Sequence, residues 1–386
     1  MGAEQHRFEV LDGMRGIAAL MVMLLHFNQQ YHYPFLFNAP LAVDVFFVLS
    51  GFVISHAYAA KLAGGMSGPE FMARRVGRLF PLAAMGTLLG FAALRLMAGH
   101  GSSDFTQSEA LLASLQNLFF IPHFGGGFVE QSGAAAHGLI FPGNSPLWSI
   151  SFELAASAGF LALVRLKPGR LVAFWAISLA ALLLVPWILG TANAAHPINI
   201  FGGWDRATFA VGFPRVACGF AAGMLVHDLW RRHQARVTSV LPRALRTGLG
   251  PCLLLVLILA MPWTMKGWYG LVAVVALAPA AVAWGAMARP ASPMTARVMH
   301  VLGWLSFPVY CLHEPVLTIT RILWTDWQLP DHGLLSPALA AGAVGLSLAA
   351  ACAALFDRLD VQRKLTRTLV AALCSEASSS AAKVLP

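Results

Sequence analysis

The sequence predicts an all-α, polytopic integral membrane protein of about ten transmembrane helices, with the N-terminus and C-terminus both cytoplasmic, and three observations carry that prediction. Hydrophobic residue types make up 58% of the 386 residues and charged types only 11%, against about 25% charged in an ordinary soluble domain. Mean hydropathy is +0.68. That balance excludes a soluble globular enzyme. It also excludes a disordered chain, which needs low hydrophobicity and high charge. The apolar residues fall in long unbroken runs of about 20, the length that carries an α-helix across the hydrocarbon core. A transmembrane barrel would show short alternating segments instead. Finally, basic residues collect in every second connection between the runs.

The runs follow in order. The first span is placed at 11–30, and Asp12 and Arg15 at its start mark a retained helix rather than a cleaved leader. The second, 41–60, closes on Lys61, and the third, 79–98, is entered through Arg74, Arg75 and Arg78. The connection 99–145 is the longest; it is rich in Gly, Ser and Ala, and no Lys or Arg lies between Arg95 and Arg165. Loops of this length are often functional. The fourth and fifth spans, 146–164 and 171–189, flank the basic turn 165–170. The sixth, 207–228, runs into the basic segment 229–248, and the seventh and eighth, 249–265 and 267–288, precede the basic loop 289–297. The ninth, 299–323, and the tenth, 335–356, complete the set, and the chain turns basic again after 357. Basic connections thus alternate with connections nearly lacking Lys and Arg, which puts both termini on the cytoplasmic side and requires an even number of spans. The formal charge of +9 belongs to this asymmetry and not to a nucleic-acid partner. Cys218, Cys252, Cys311, Cys352 and Cys374 show no paired spacing and read as small core residues, not as a disulfide framework or a metal site. The membrane domain is therefore 1–360, followed by a cytoplasmic tail, 361–386, whose end from 375 reads as disordered.

Ionisable groups are expensive inside a bilayer, so each one within a span is a candidate site residue. The first span holds Asp12, Arg15 and His26. Arg15 and His26 are eleven residues apart, which puts both on one helical face about 16 Å apart along the axis. The second span carries Asp44 and Ser50; the fourth carries Ser149 and Glu153, four apart on one face. Counted from the outer ends, His26, Asp44 and Glu153 share a depth, so a carboxylate is expected to orient the imidazole as in a base–orienter pair. The alternative is that both carboxylates pair with arginines. Arg215 lies well inside the sixth span and needs a carboxylate, carbonyls or an anionic ligand. Ser306, Tyr310 and His313 share a face of the ninth span, with Glu314 next to them. The cluster Arg74, Arg75 and Arg78 suits a phosphate-bearing ligand as well as membrane topology.

Together these residues resemble acyltransferase family 3, the integral-membrane O-acyltransferases that modify bacterial surface sugars and some small molecules. The resemblance rests on LDGMRGIAALMVMLLH (11–26), VDVFFVLSGFVIS (43–55), RRVGRLFPL (74–82), NSPLWSISFE (144–153), PRVACGFAAG (214–223) and SFPVYCLHEPV (306–316), in that order along the chain. The weaker ALFDRL (354–359) has Asp357 where the family usually has glutamate. The resemblance implies about ten spans in the bacterial cytoplasmic (inner) membrane. It implies an acyl-CoA donor, commonly acetyl-CoA, as co-substrate, with no permanently bound cofactor and no metal. Arg15 and His26 match the family's Arg-x10-His pair, whose histidine is catalytic. Arg75 and Arg78 match its Arg-x2-Arg motif, associated with the donor. Trp148, Ser149 and Glu153 match its Trp-Ser motif and the glutamate that follows.

The expected reaction moves an acyl group from cytoplasmic acyl-CoA to a hydroxyl of an extracytoplasmic or lipid-linked sugar. His26 acts as general base or as acyl carrier, with Glu153 or Asp44 orienting it. Arg15, Arg74, Arg75 and Arg78 hold the donor, and Arg215 or Ser149 meets the oxyanion. The competing reading is a transporter or flippase whose intramembrane charges line a path. Its sequence pointer, a two-half repeat, is not visible.

Overall fold

A computed structural model of the chain describes residues 7–31, 38–131, 134–240, 242–262, 267–330 and 336–382. Its helices are α1 (Glu9–Tyr31), α2 (Leu41–Ala63), α3 (Gly68–Gly99), α4 (Gln107–Leu118), α5 (Leu147–Leu163), α6 (Pro168–Ile188), α7 (Phe209–Val240) and α8 (Leu249–Ala260). Then α9 (Trp268–Val272) passes through a π-turn, Ala273–Leu277, into α10 (Ala278–Met287), and α11 (Pro293–Asp326), α12 (Pro337–Arg358) and α13 (Val361–Ala382) follow. Among the described residues, seven helices are long and apolar enough to cross a membrane: α1, α2, α3, α6, α7, the joined α9–α10 and α12. The apolar helices α5 and α8 are shorter. Helix starts follow local chemistry. Ser67, Thr106, Ser292 and Ser336 each accept a hydrogen bond from a first-turn backbone N–H, which satisfies a donor that the helix leaves open.

Three segments differ from expectation. The 99–145 connection is not a plain loop: it contains α4 and an antiparallel hairpin, β1 (Phe128–Gln131) with β2 (Ala134–His137). Thr106 and Glu109 start α4 with a reciprocal cap. The segment after 360, expected as a tail, carries α13, packed along α3, where Thr366 meets Gly77. Val361, Gln362, Leu365, Thr366, Leu369 and Val370 form its half-buried stripe, with the 3.6-residue period of an amphipathic helix. Helix continues to Ala382, past the point where the chain was expected to lose structure. The third is length: α3, α7 and α11 run beyond their predicted spans by up to a dozen residues.

Contacts fix relative directions. Arg15 meets Ser306 and His26 meets His313, so α1 and α11 run parallel. Asp44 meets Arg215, and Gly51 meets Phe220, so α2 and α7 also run parallel. Small residues make these approaches close, as in helix pairs that pack without a hydrophobic drive. A Cβ on Gly16 would lie 2.4 Å from the Leu302 carbonyl, and one on Gly223 would lie 2.0 Å from the Val48 carbonyl. Proline sets the remaining irregularities. Pro315 inside α11 has no N–H, which leaves the carbonyl four residues back without its helical partner. That carbonyl, of Cys311, accepts from Asn144 Nδ2 at 2.7 Å.

Candidate active site

Helices α1, α2, α3, α5 and α11 wall a cavity of about 440 Å³, within the range of small-molecule sites. It lies in the half of the bundle that holds the start of α1 and the end of α2. Arg7, Arg15, Arg75 and Arg78 line it against Asp12 and Glu153, so four positive charges face two negative ones and the formal balance is +2. The α3 arginines reach it because positions 75, 78, 79 and 82 repeat on one helical face. Arg15 donates to Ser306 Oγ (2.9 Å), the Gly303 carbonyl (3.1 Å) and Asp12 (3.4 Å). Arg7 binds Asp12 at 3.1 Å. Arg75, nearly buried, donates to Glu153 (2.5 Å) and Ser157 (3.2 Å). Arg78 has no hydrogen bond or ion pair among the described residues. It faces the cavity with repulsive neighbours in Arg15 and Arg75. The Arg78 side chain is exposed to the cavity space, where a guanidinium with no protein partner suits an anionic ligand.

The carboxylates do not orient His26. Asp44 and Arg215 are each 1% exposed and form a two-pronged pair, at 2.8 and 2.7 Å. Arg215 also donates to the carbonyls of Gly202 and Pro40 (both 3.1 Å) and lies over the rings of Trp148 and Phe201. Four of the five guanidinium N–H groups are thus engaged, and Arg215, Asp44 and Trp148 are not part of the cavity lining. Glu153 does face the cavity, but its partners are Arg75 and Ser50 (3.0 Å). The alternative set out from the sequence, carboxylates paired with arginines, is the arrangement observed. Arg74 points elsewhere, binding Glu70 one turn back at 2.6 Å. Asp357 accepts from Trp304 at 2.7 Å.

His26 is half-buried, and its partner is His313. The protonation pattern follows from counting donors. A backbone carbonyl only accepts, so in a neutral ring the nitrogen beside it carries the hydrogen. His313 Nδ1 lies 2.8 Å from the Val309 carbonyl, which makes its Nε2 an acceptor. His26 Nδ1 lies 3.0 Å from the Val22 carbonyl and 2.9 Å from His313 Nε2, and it donates toward both. This leaves His26 Nε2 as the acceptor nitrogen, without a hydrogen-bond partner among the described residues. A second histidine thus holds the tautomer that the sequence assigned to a carboxylate.

Between the cavity and this pair stands Tyr310. Its ring lines the cavity and its centroid is 6.2 Å from that of His313. The hydroxyl donates to the Pro146 carbonyl (3.0 Å) and lies 2.6 Å from Ser149 Oγ. The Asn144-Ser145-Pro146 segment that starts α5 is fastened to α11 throughout: Asn144 to the Cys311 carbonyl, Ser145 N and Oγ to Glu314, Pro146 to Tyr310. Of the expected site residues, Asp12, Arg15, Arg75, Arg78, Ser149, Glu153, Ser306 and Tyr310 meet at the cavity. His26 and His313 sit beyond its floor. Arg74, Asp44, Arg215 and Trp148 do not line it. Sequence reasoning missed Arg7, His56 and Asn144. For Asn144 the signal was present: Pro315 implies an orphaned carbonyl in need of a donor.

Across the bundle, the 99–145 connection carries two titratable groups with shifted protonation, the buried His123 and the exposed Glu109. His123 Nδ1 donates to Gln116 at 2.7 Å, and burial pushes its imidazole below the usual range. Bonds from the Thr106 hydroxyl and N–H lower the Glu109 carboxyl.

The family described as acyltransferase domain matches residues 8–356. A Rhizobium radiobacter protein named protein 2 in picA locus is 43% identical over 161 residues, covering 39% of this chain and 80% of its own. Proteins named as O-acetyltransferases in Staphylococcus aureus strains COL and MSSA476 are 23% identical over 344 residues, or 83% of this chain. The chain spans about half, 52%, of the length of those staphylococcal relatives. No solved structure matches it.

Proposed function

The chain belongs to the membrane acyltransferase family whose domain covers residues 8–356, and from that premise we propose that it moves an acetyl group from acetyl-CoA to a sugar hydroxyl on the far side of the membrane. The proposed topology is ten spans, formed by α1, α2, α3, α5, α6, α7, α8, α9–α10, α11 and α12, with both termini cytoplasmic in a bacterial inner membrane. The observation that carries the reading is the arginine-lined cavity whose floor, Tyr310, is one helical turn from the His313–His26 relay. Phosphates of the donor bind Arg78 and Arg15, with Arg75 kept in place by Glu153. The pantetheine arm extends toward Tyr310, and movement of that side chain admits the thioester to the histidines.

Acceptor hydroxyl and thioester then meet at His26. The hydroxyl oxygen attacks the thioester carbon while His26 Nε2 takes its proton. Through Nδ1, His313 accepts a hydrogen bond from the imidazolium so formed. Collapse of the tetrahedral intermediate breaks the carbon–sulfur bond, and the proton passes from His26 to the departing thiolate, giving ester and free thiol. If His26 carries the acyl group instead, Nε2 attacks the carbon first and the carbon–sulfur bond breaks to release the thiolate; the hydroxyl then attacks the acyl-imidazole, the carbon–nitrogen bond breaks, and the hydroxyl proton ends on the thiolate by way of the freed imidazole. Polysaccharide or lipid-linked sugars are the proposed acceptor class.

The test uses the whole chain in proteoliposomes with radiolabelled acetyl-CoA and candidate glycans. His26→Ala is expected to lower transfer by at least about 100-fold, the scale of a lost general base, while acetyl-CoA binding measured by titration stays intact. Retained transfer overturns the role of His26. Transfer lost together with donor binding overturns it too, because the histidine then serves the donor pocket.

A further inference from the structure

The helix α4 is amphipathic the wrong way round for a helix facing water. It turns Ala110, Ala113 and Asn117 toward the protein. It turns Leu111, Leu112 and Leu115 outward, at 49, 52 and 49% exposure. A soluble surface helix does the reverse, burying its large apolar residues and exposing small and polar ones. Phe119, Ile121 and Phe124 continue the exposed apolar surface beyond its end. Along residues 105–128 the sole Asp, Glu, Lys or Arg is Glu109, whose carboxylate is engaged with Thr106 at the helix start.

The position of α4 identifies what that face meets. Its inner side packs with Leu94 and Met97 of α3 and Ile322 of α11 in one apolar cluster, so it is seated at the end of helices committed to the bilayer. Leu88, on α3 itself, is 66% exposed, as a lipid-facing residue is. Twelve residues give a length of about 18 Å, too short to cross the hydrocarbon core. A short helix with one leucine-rich face, next to a transmembrane surface, suits the plane of the interface. We propose that α4 is an interfacial anchor, with Leu111, Leu112 and Leu115 in the acyl-chain region of the leaflet at the C-terminal end of α3. The anchor holds the 119–128 segment against the membrane surface. Combined with the reading of function above, it means that the acceptor hydroxyl is met at the lipid surface, where a lipid-linked sugar is presented. The burial depth itself does not depend on catalysis.

The experiment measures depth directly. Nitroxide labels are placed on Leu112→Cys and Leu115→Cys in proteoliposomes, with Leu88→Cys as lipid reference and His196→Cys, on an exposed loop, as aqueous reference. Signal from native thiols is subtracted using the labelled unsubstituted protein. Collisions with oxygen, which partitions into lipid, are compared with collisions with a water-soluble nickel chelate. The expected oxygen-to-chelate ratio at 112 and 115 lies within about a factor of two of position 88 and several-fold above position 196. A ratio like that of position 196 overturns the proposal. So does shielding from both reagents with crosslinking between chains at position 112, which assigns the face to a second copy. If depth is as proposed but acyl transfer is absent, the anchor stands and the catalytic reading falls.

Discussion

A single buried residue decides much in this molecule, because water is not there to compensate for a lost partner. Asp44 and Arg215, each 1% exposed, are the clearest instance. Removing one partner leaves the other charge uncompensated, at a cost of about 3–5 kcal/mol, whereas removing both together often costs little. Asp44→Ala is therefore expected to lower the thermal midpoint of the purified protein sharply, and the double variant Asp44→Leu with Arg215→Met is expected to recover most of it. A single variant that melts with the parent shows that the pair contributes nothing. His123 gives a titration at the same scale. Burial holds its imidazole below the usual range, so the unfolded loop binds the proton more readily than the folded one. Stability contributed by His123 is therefore full above about pH 6.5 and is lost as pH falls below it toward the depressed folded value. Protection from hydrogen exchange across 119–128, corrected for the intrinsic pH dependence of exchange, is expected to fall between about pH 7 and 5. His123→Gln removes that acid sensitivity; identical pH profiles in both proteins count against the assignment. Asp44 and Arg215 were visible in the sequence, since ionisable side chains in apolar runs announce themselves, whereas His123, in the long connection, was not singled out. The pairing itself was not visible. Asp44 and Arg215 are 171 positions apart, and no local pattern says which helices are neighbours.

Elements were legible wherever apolar runs were long and bounded by charge. Each of the ten expected spans overlaps a helix among the described residues, seven of them long and apolar enough to cross a membrane, and the errors lie at the ends and in the connections. The hairpin Phe128–Gln131 with Ala134–His137 escaped because its second strand is Ala-rich and has no alternating pattern. The last helix, α13, escaped because its stripe is weak and its Ser-rich end resembles an unstructured one. How closely two helices approach is a property of single glycines. The α2–α7 crossing rests on Gly223, where a Cβ would lie 2.0 Å from the Val48 carbonyl. Gly223→Ala is expected to push the helices apart and destabilise by about 1–3 kcal/mol, the cost of overpacking, read as a lower thermal midpoint. Gly159 on α5 has no atom within 4 Å of such a Cβ. Gly159→Ala is expected to leave the midpoint unchanged or raise it, through the helix propensity of alanine. Equal effects at the two positions contradict the crossing geometry.

At the scale of the whole molecule, the composition and the alternation of basic loops predict a helical membrane protein, and the helix directions agree: α1, α3 and α11 run one way, α2, α5 and α7 the other. The cavity assembles from five helices that are dispersed along the chain. Its residues were named in advance largely through intramembrane polarity and motif resemblance, whereas the pairing of His26 with His313 emerges only from three-dimensional packing. That pairing joins positions 287 apart. A ribosome must add 287 residues after the first imidazole before the second exists to meet it. The newborn chain consequently holds His26 without this partner over that stretch of synthesis, and the pairing closes only with the arrival of α11.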